Sequence, residues 1–249
     1  MLDLVQDIPT HRYFLHFFFE TLGFLVAFRY YIYLRKRQED AISTQHRYLI
    51  IVGATLGAFL GSRLLGSFED PSVVLSGKAG LVYFSTSKTI VGGLLGGLWA
   101  VELTKKLIAE RQRSGDLFTY PIITGMILGR IGCLFMGIYE PTYGLPSELP
   151  WAMDLGDGIG RHPVAAYEIL FLLLLWLGLK RSEDKLRSGA RFKLFMMAYL
   201  CFRFFVEWLK PGVFWAAGLS SIQLACLGGL AYYADVIFQP RKKLLSNYG

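Results

Sequence analysis

Three arginines and three glutamates lie inside or at the mouths of long apolar stretches, and they are the residues with chemistry to do. The densest run is Gly129–Glu168, GRIGCLFMGIYEPTYGLPSELPWAMDLGDGIGRHPVAAYE. Arg130 sits between glycines near the end of one apolar segment; His162, Tyr167 and Glu168 open the next. Arg203 and Glu207 are four residues apart, which places them on one helix face. Arg63 and Glu20 occupy two further apolar segments. A guanidinium at the centre of a spanning helix costs about 2.5–3.5 kcal/mol. One reading is that these charges pair only with each other and lock helices together. The other starts from the planar fork of arginine, which binds phosphate oxygens at two points. Balanced ion pairs alone are replaceable by apolar packing at little loss of stability. Guanidiniums gathered at one depth suit a phosphate, and the phosphate native to that depth is a lipid headgroup.

The elements that must carry these charges are membrane spans. The chain has 249 residues, 53% hydrophobic and 15% aromatic, with a mean hydropathy of +0.40, which is too apolar for an ordinary soluble domain. Apolar segments near the ~20 residues needed to cross a bilayer are expected at Phe14–Leu34, Tyr48–Ser67, Thr89–Leu107, Leu117–Ile138, Pro163–Leu179, Phe192–Leu209 and Leu219–Phe238. Basic clusters follow the first, third, fifth and seventh (Arg35–Arg37, Lys105 to Arg113, Lys180 to Arg191, Arg241–Lys243), and acidic or weakly charged loops follow the others. The positive-inside rule then gives an all-α integral membrane protein, a seven-transmembrane-helix bundle with an extracytoplasmic N-terminus and a cytoplasmic C-terminus. It reads as a single seven-helix membrane domain over residues 1–249, with 139–161 as an extracytoplasmic cap loop. On this topology Arg63, Arg130, Arg203, Glu20, Glu168 and Glu207 all lie towards the extracytoplasmic side. Arg130, Arg203 and Glu207 are expected to share one cavity facing the outer leaflet.

The excess of 26 basic over 19 acidic residues, net +7, lies in the inter-span loops. It fits the membrane rule, and no nucleic-acid partner is expected. Cys133, Cys201 and Cys226 are an odd number inside apolar segments, which argues against a disulfide framework; with no CxxC pattern, no metal or cofactor is expected either. The start of the chain lacks the basic region of a cleavable signal. Glycines at four-residue spacing (Gly53, Gly57, Gly61; Gly92/Gly96 and Gly93/Gly97; Gly125/Gly129) read as helix contact faces.

Several polar residues have two readings. His162, before Pro163, which marks a helix start, is a cap or interfacial residue or a base that titrates near neutral pH; the spacing gives it no partner. Cys133 is a small buried residue or a reactive thiol, and is not taken as the nucleophile. Lys88 is a snorkelling headgroup contact or a phosphate-binding amine. Gln223 reads by default as an interhelical hydrogen bond.

GRIG at Gly129–Gly132, HPVAAYE at His162–Glu168, FRFFVEWLKP at Phe202–Pro211 and GAFLGSR at Gly57–Arg63 together resemble the bacterial prolipoprotein diacylglyceryl transferases. GDLF at Gly115–Phe118 and GLSSIQ at Gly218–Gln223 fit the same order. The resemblance implies a multi-pass enzyme of the bacterial cytoplasmic membrane. Such an enzyme moves the diacylglyceryl group of phosphatidylglycerol, or a similar anionic phospholipid, to the thiol of a lipoprotein-precursor cysteine and releases glycerol phosphate. It implies no cofactor. It implies catalytic roles for Arg130, Arg203, Glu207 and His162, and lipid binding by Arg63, Lys88, Gly129, Gly132, Tyr167, Glu168 and Gln223. The chain also departs from the family pattern. Ile90-Val91 stand where a histidine usually precedes the paired glycines. Cys133 and Met136 replace two asparagines, and Lys210 replaces an arginine. The lipid-binding half is kept and the thiol-activating half rewritten, with Lys88, Cys133 or His162 as substitutes. Two alternatives follow: the same lipid with a different acceptor, or a non-catalytic lipid-binding or transport module.

Overall fold

The computed structural model describes residues 9–38, 40–77, 80–215 and 218–246. In chain order the elements are α1 (Thr10–Arg37), α2 (Thr44–Ser67), the short α3 (Pro71–Leu75) and α4 (Leu81–Thr86), α5 (Ile90–Leu107), α6 (Asp116–Met136), the strands β1 (Met153–Asp154) and β2 (Gly160–Arg161), α7 (Val164–Arg181), α8 (Ala190–Val206), α9 (Ser221–Tyr232), α10 (Ala234–Phe238) and α11 (Pro240–Leu244). Among the described residues, α1, α2 and the run Asp116–Tyr139 are both long and apolar enough to cross a membrane on length and composition. Their outward faces are oily: Phe14, Phe24, Phe28, Leu56 and Phe59 are all more than half exposed. A lipid surround makes such exposure favourable where water would not. The protein is a predominantly helical membrane protein.

The expected segments correspond to helices, with two corrections. The seventh, expected unbroken over Leu219–Phe238, ends at Tyr232 and restarts at Ala234. The cap loop is not wholly irregular: β1 and β2 pair antiparallel, Met153 with Arg161 and Asp154 with Gly160. Gly156 and Gly158 take the positive φ angles that this turn needs, at +119° and +74°. The Asp154 carboxylate accepts the backbone N–H groups of Gly156 (2.8 Å), Asp157 (3.1 Å) and Gly158 (2.9 Å), and these hold it below the usual carboxylate pKa. Asp157 is lowered too, by its hydrogen bond from Arg161.

The chain divides into two compact units. The first comprises α1, α6, the cap loop, α7, the start of α8 and residues Trp208–Pro211; the second comprises α2–α5, the rest of α8 and α9 onwards.

In the first unit α1 lies along α6 by close backbone approach. A Cβ on Gly23 would stand 3.0 Å from the Gly125 carbonyl oxygen, and one on Gly132 would stand 3.1 Å from that of His16. The contact glycines are therefore Gly125 and Gly132. A side chain at Gly129 would meet nothing within 4 Å, so Gly129 does not continue the packing row as its spacing suggested. Tyr31 stacks on Phe118 at the far end, with ring centroids 4.8 Å apart. The cap is tied down by Leu145, whose N–H donates to Leu209 O (2.8 Å) and whose carbonyl accepts from His162 N (3.0 Å).

In the second unit the glycine rows of α2 and α5 interlock. Gly57 and Gly61 face Gly96 and Gly92, leaving no room for a Cβ at any of them. Thr89 caps α5 through Gly92 N (3.1 Å) and donates its own N–H to Ser62 Oγ (3.1 Å). Helix α9 begins with a reciprocal capping box between Ser220 and Gln223.

Candidate active site

In the first unit Arg130 is buried one turn before the end of α6, and Glu168 is fully buried one turn into α7. Arg130 Nε lies 2.9 Å from Glu168 Oε1. Its Nη1 reaches the other way, 3.3 Å from Thr142 Oγ1 and 3.6 Å from Cys133 Sγ. The guanidinium is thus held at Nε by a carboxylate, with Nη1 directed at Thr142 and Cys133. Here a charged fork is held in place with donors directed at Thr142 and Cys133.

Around that fork the chain gathers groups from distant positions. His16 of α1 brings Nε2 within 3.5 Å of Glu140 Oε2 and 3.9 Å of Cys133 Sγ. Its other ring nitrogen lies 4.0 Å from Glu20 Oε2. The ligand atoms of His16, Cys133 and Glu140 all lie within 4.8 Å of one another. Arg12, also on α1, donates to Leu155 O (3.0 Å) and Met136 O (3.4 Å), joining the end of α6 to the cap.

His162 stands at the mouth of α7, whose first helical residue is Val164; Pro163 is the N-cap rather than the first position. Contrary to the sequence expectation, His162 has a partner: Nδ1 is 3.2 Å from Tyr167 Oη, and Tyr167 in turn accepts from Trp151 Nε1 at 2.8 Å. These three side chains line an open groove of about 640 Å³ whose other walls are largely aliphatic, including Leu149, Leu170 and Leu209.

In the second unit Arg203 and Glu207 are both buried and pair along one helix edge, Nη2 to Oε2 at 3.1 Å. Ser220 Oγ donates to Glu207 Oε1 at 3.5 Å. Gln223 is fully buried; its Oε1 accepts from Ser220 N (2.9 Å) and its Nε2 donates to Phe204 O (3.0 Å). The amide works as a helix cap and an interhelical tie, the default reading from sequence. Arg63 donates to Ser87 O (3.2 Å) and stacks over Phe59 at 5.4 Å; among the described residues no carboxylate is paired with it, unlike the ion pair considered from sequence. Lys88 is exposed beside the Thr89 cap. Val91, where the family pattern has its histidine nearby, is fully buried.

The sequence reading did not single out His16, Thr142 or Trp151. His16 and Glu20 carried a weak signal, an i,i+4 polar pair in an apolar span. Thr142 and Trp151 carried none, because loop geometry alone brings them in.

The family model for prolipoprotein diacylglyceryl transferase matches residues 3–238. The chain belongs to that family. It is similar to the phosphatidylglycerol–prolipoprotein diacylglyceryl transferase of Bordetella parapertussis, 34% identical over 191 residues, or 69% of each chain. It is 30% identical over 232 residues to that of Wolbachia pipientis wMel, covering 85% of this chain and 86% of the relative. It is 32% identical over 183 residues to that of Nitratidesulfovibrio vulgaris, covering 70% and 64%. No solved structure matches the chain.

Proposed function

We propose that this family member transfers the diacylglyceryl group of phosphatidylglycerol to the cysteine thiol of a lipoprotein precursor, releasing glycerol phosphate. The observation that carries the reading is Arg130, buried, held through Nε by Glu168 and directing Nη1 at Thr142 and Cys133. Such a fork receives the bridging phosphate of an anionic lipid and stabilises the charge that grows on it as the glycerol C–O bond breaks. Arg203, oriented by Glu207, supplies a second guanidinium to the reaction. Arg63 and Lys88 contact headgroups, and Tyr167 orients His162. His162 opens onto the apolar groove, where it takes the proton of the incoming thiol. The attacking sulfur belongs to the substrate and not to Cys133. The chain crosses the bacterial cytoplasmic membrane seven times, N-terminus outside and C-terminus inside, with the 139–161 loop as an external cap. The charge pattern of the loops supports that orientation.

A second reading keeps the lipid and changes the acceptor. It is favoured by Val91 and Ile90 standing where the family pattern has its histidine, with Val91 sealed in the core. One experiment separates the two. The purified protein is incubated with phosphatidylglycerol and a lipobox peptide carrying either cysteine or serine. The transferase reading expects a diacylglyceryl mass gain on the cysteine peptide alone, matched by glycerol-phosphate release. Release without modification of the cysteine peptide would favour another acceptor; no release at all would refute both.

A further inference from the structure

We propose that His16, Cys133 and Glu140 form a three-ligand site for a zinc-class divalent cation at the Arg130 edge of the first unit. The three residues offer an imidazole nitrogen, a thiolate sulfur and a carboxylate oxygen. That mixed set selects zinc and its neighbours over magnesium or calcium, which take oxygen ligands. The spacing of the nitrogen and oxygen ligands favours an ion between them over a direct hydrogen bond. His16 Nε2 is 3.5 Å from Glu140 Oε2 and 3.9 Å from Cys133 Sγ, and all three ligand atoms fall within 4.8 Å. A direct N–H···O hydrogen bond between His16 and Glu140 would close to about 2.7–3.2 Å. Ligands around a tetrahedral zinc, at metal distances of about 2.0–2.3 Å, stand roughly 3.4–3.6 Å apart. The His16–Glu140 separation therefore has the spacing of ligands around a shared ion, with the Cys133 sulfur a few tenths of an ångström further out.

Three further features point the same way. His16 turns its second nitrogen towards Glu20, at 4.0 Å, the side from which a carboxylate orients a metal-bound histidine once the two close to hydrogen-bond distance. A small cavity of about 10 Å³, the space of one water-sized sphere, touches both Cys133 and Glu140. The backbone also serves the cluster: Gly132 lets the His16 turn approach within 3.1 Å of where its Cβ would be, which brings α1 against Cys133. The charges close as well, since one thiolate and one carboxylate neutralise a dication, while Arg130 keeps its own counter-ion in Glu168.

Three protein ligands with a fourth position open is the arrangement of a reactive rather than a closed structural zinc site. Resting on the transferase reading, the open position takes the acceptor thiol as a thiolate, its proton passing to His162 as that reading has it. The sulfur then bonds the glycerol carbon as the C–O bond to phosphate breaks, and the leaving glycerol phosphate takes the electron pair. This would supply the thiol activation for which the chain lacks the family's histidine and asparagine.

The test is titration of the detergent-purified protein with Co2+ alone. The expected result is stoichiometric uptake with a thiolate-to-cobalt charge-transfer absorption, displaced by Zn2+. Cys133→Ser should abolish that absorption. His16→Asn and Glu140→Gln should weaken uptake by more than about 10-fold, and Glu20→Gln, which touches only the far side of the ring, by about 10-fold. Because Glu20→Gln leaves all three ligands in place, it remains informative if a ligand variant fails to fold. No charge-transfer band, a band unchanged in Cys133→Ser, or uptake insensitive to Glu20→Gln would overturn the proposal. Cobalt binding without peptide lipidation would leave the site standing and remove the transferase reading. Full-rate lipidation by metal-free protein would keep the transferase reading and remove the ion's part in it.

Discussion

Two buried arginine–glutamate pairs organise this chain, and they are built differently. Arg130 and Glu168 join α6 to α7 across 38 positions, with Arg130 Nη1 directed at Thr142 and Cys133. Arg203, in the last turn of α8, and Glu207, just past its end, lie one turn apart, with Glu207 tied on to Ser220 at the start of α9. The first pair depends on two helices being packed correctly, so it couples the fold to the chemistry. The second is set by local helix geometry and moves with its own helix. The contrast separates a charge placed by tertiary structure from one placed by sequence spacing.

The sharpest way to break the comparison is Arg130→Ala. It strands a fully buried carboxylate, and we expect a loss of about 3–5 kcal/mol in stability together with loss of turnover. Arg130→Met combined with Glu168→Leu should recover the stability without the activity, as measured by thermal unfolding and lipid turnover in parallel. Next in size is Arg203→Lys, which keeps the charge and discards the fork. We expect turnover to fall about 10²-fold while the unfolding midpoint moves little, because the helix-local partner Glu207 still has a cation. A drop in stability as large as that for Arg130→Ala would erase the distinction between the pairs. Smaller again is His162→Ala, expected to lower kcat by about 10²-fold or less. Tyr167→Phe, which removes only the orienting hydroxyl, should have a lesser effect. Equal effects would mean that the pair is structural.

The smallest effect lies in the cap. Asp154 has a folded pKa held below the usual ~3.9 by three backbone N–H groups. Its contribution to hairpin order is therefore complete above that ordinary value and is lost as pH falls through the lowered one. Amide NMR shifts of Gly156 and Gly158 should hold steady to below pH ~3.9 and then move together. Movement starting at higher pH would contradict the hydrogen-bond assignment.

The fold was legible where physics is local. Apolar length marked the long helices α1, α2 and α6, and four-residue glycine spacing marked the α2–α5 interlock. Arg203 and Glu207 were readable because one helical turn fixes their relation. Arg130 announced itself by the cost of burying it, but its partners Glu168 and Thr142 followed only from helix packing and the turn of the cap. His16 was the least visible: its neighbours Cys133 and Glu140 are 117 and 124 positions away, and nothing in a single span says which face meets which. The break at Tyr233 was missed for a related reason, since hydropathy runs on through it while the hydrogen-bonding pattern does not.

The account's central claim is that the Arg130 guanidinium grips a lipid phosphate during transfer, rather than only locking α6 to α7. Wild type and the stably folded Arg130→Met/Glu168→Leu variant should be compared with headgroup-labelled phosphatidylglycerol and a thiol peptide. The predicted result is peptide-dependent release of glycerol phosphate by wild type and none by the variant; release by the variant at the wild-type rate would contradict the claim.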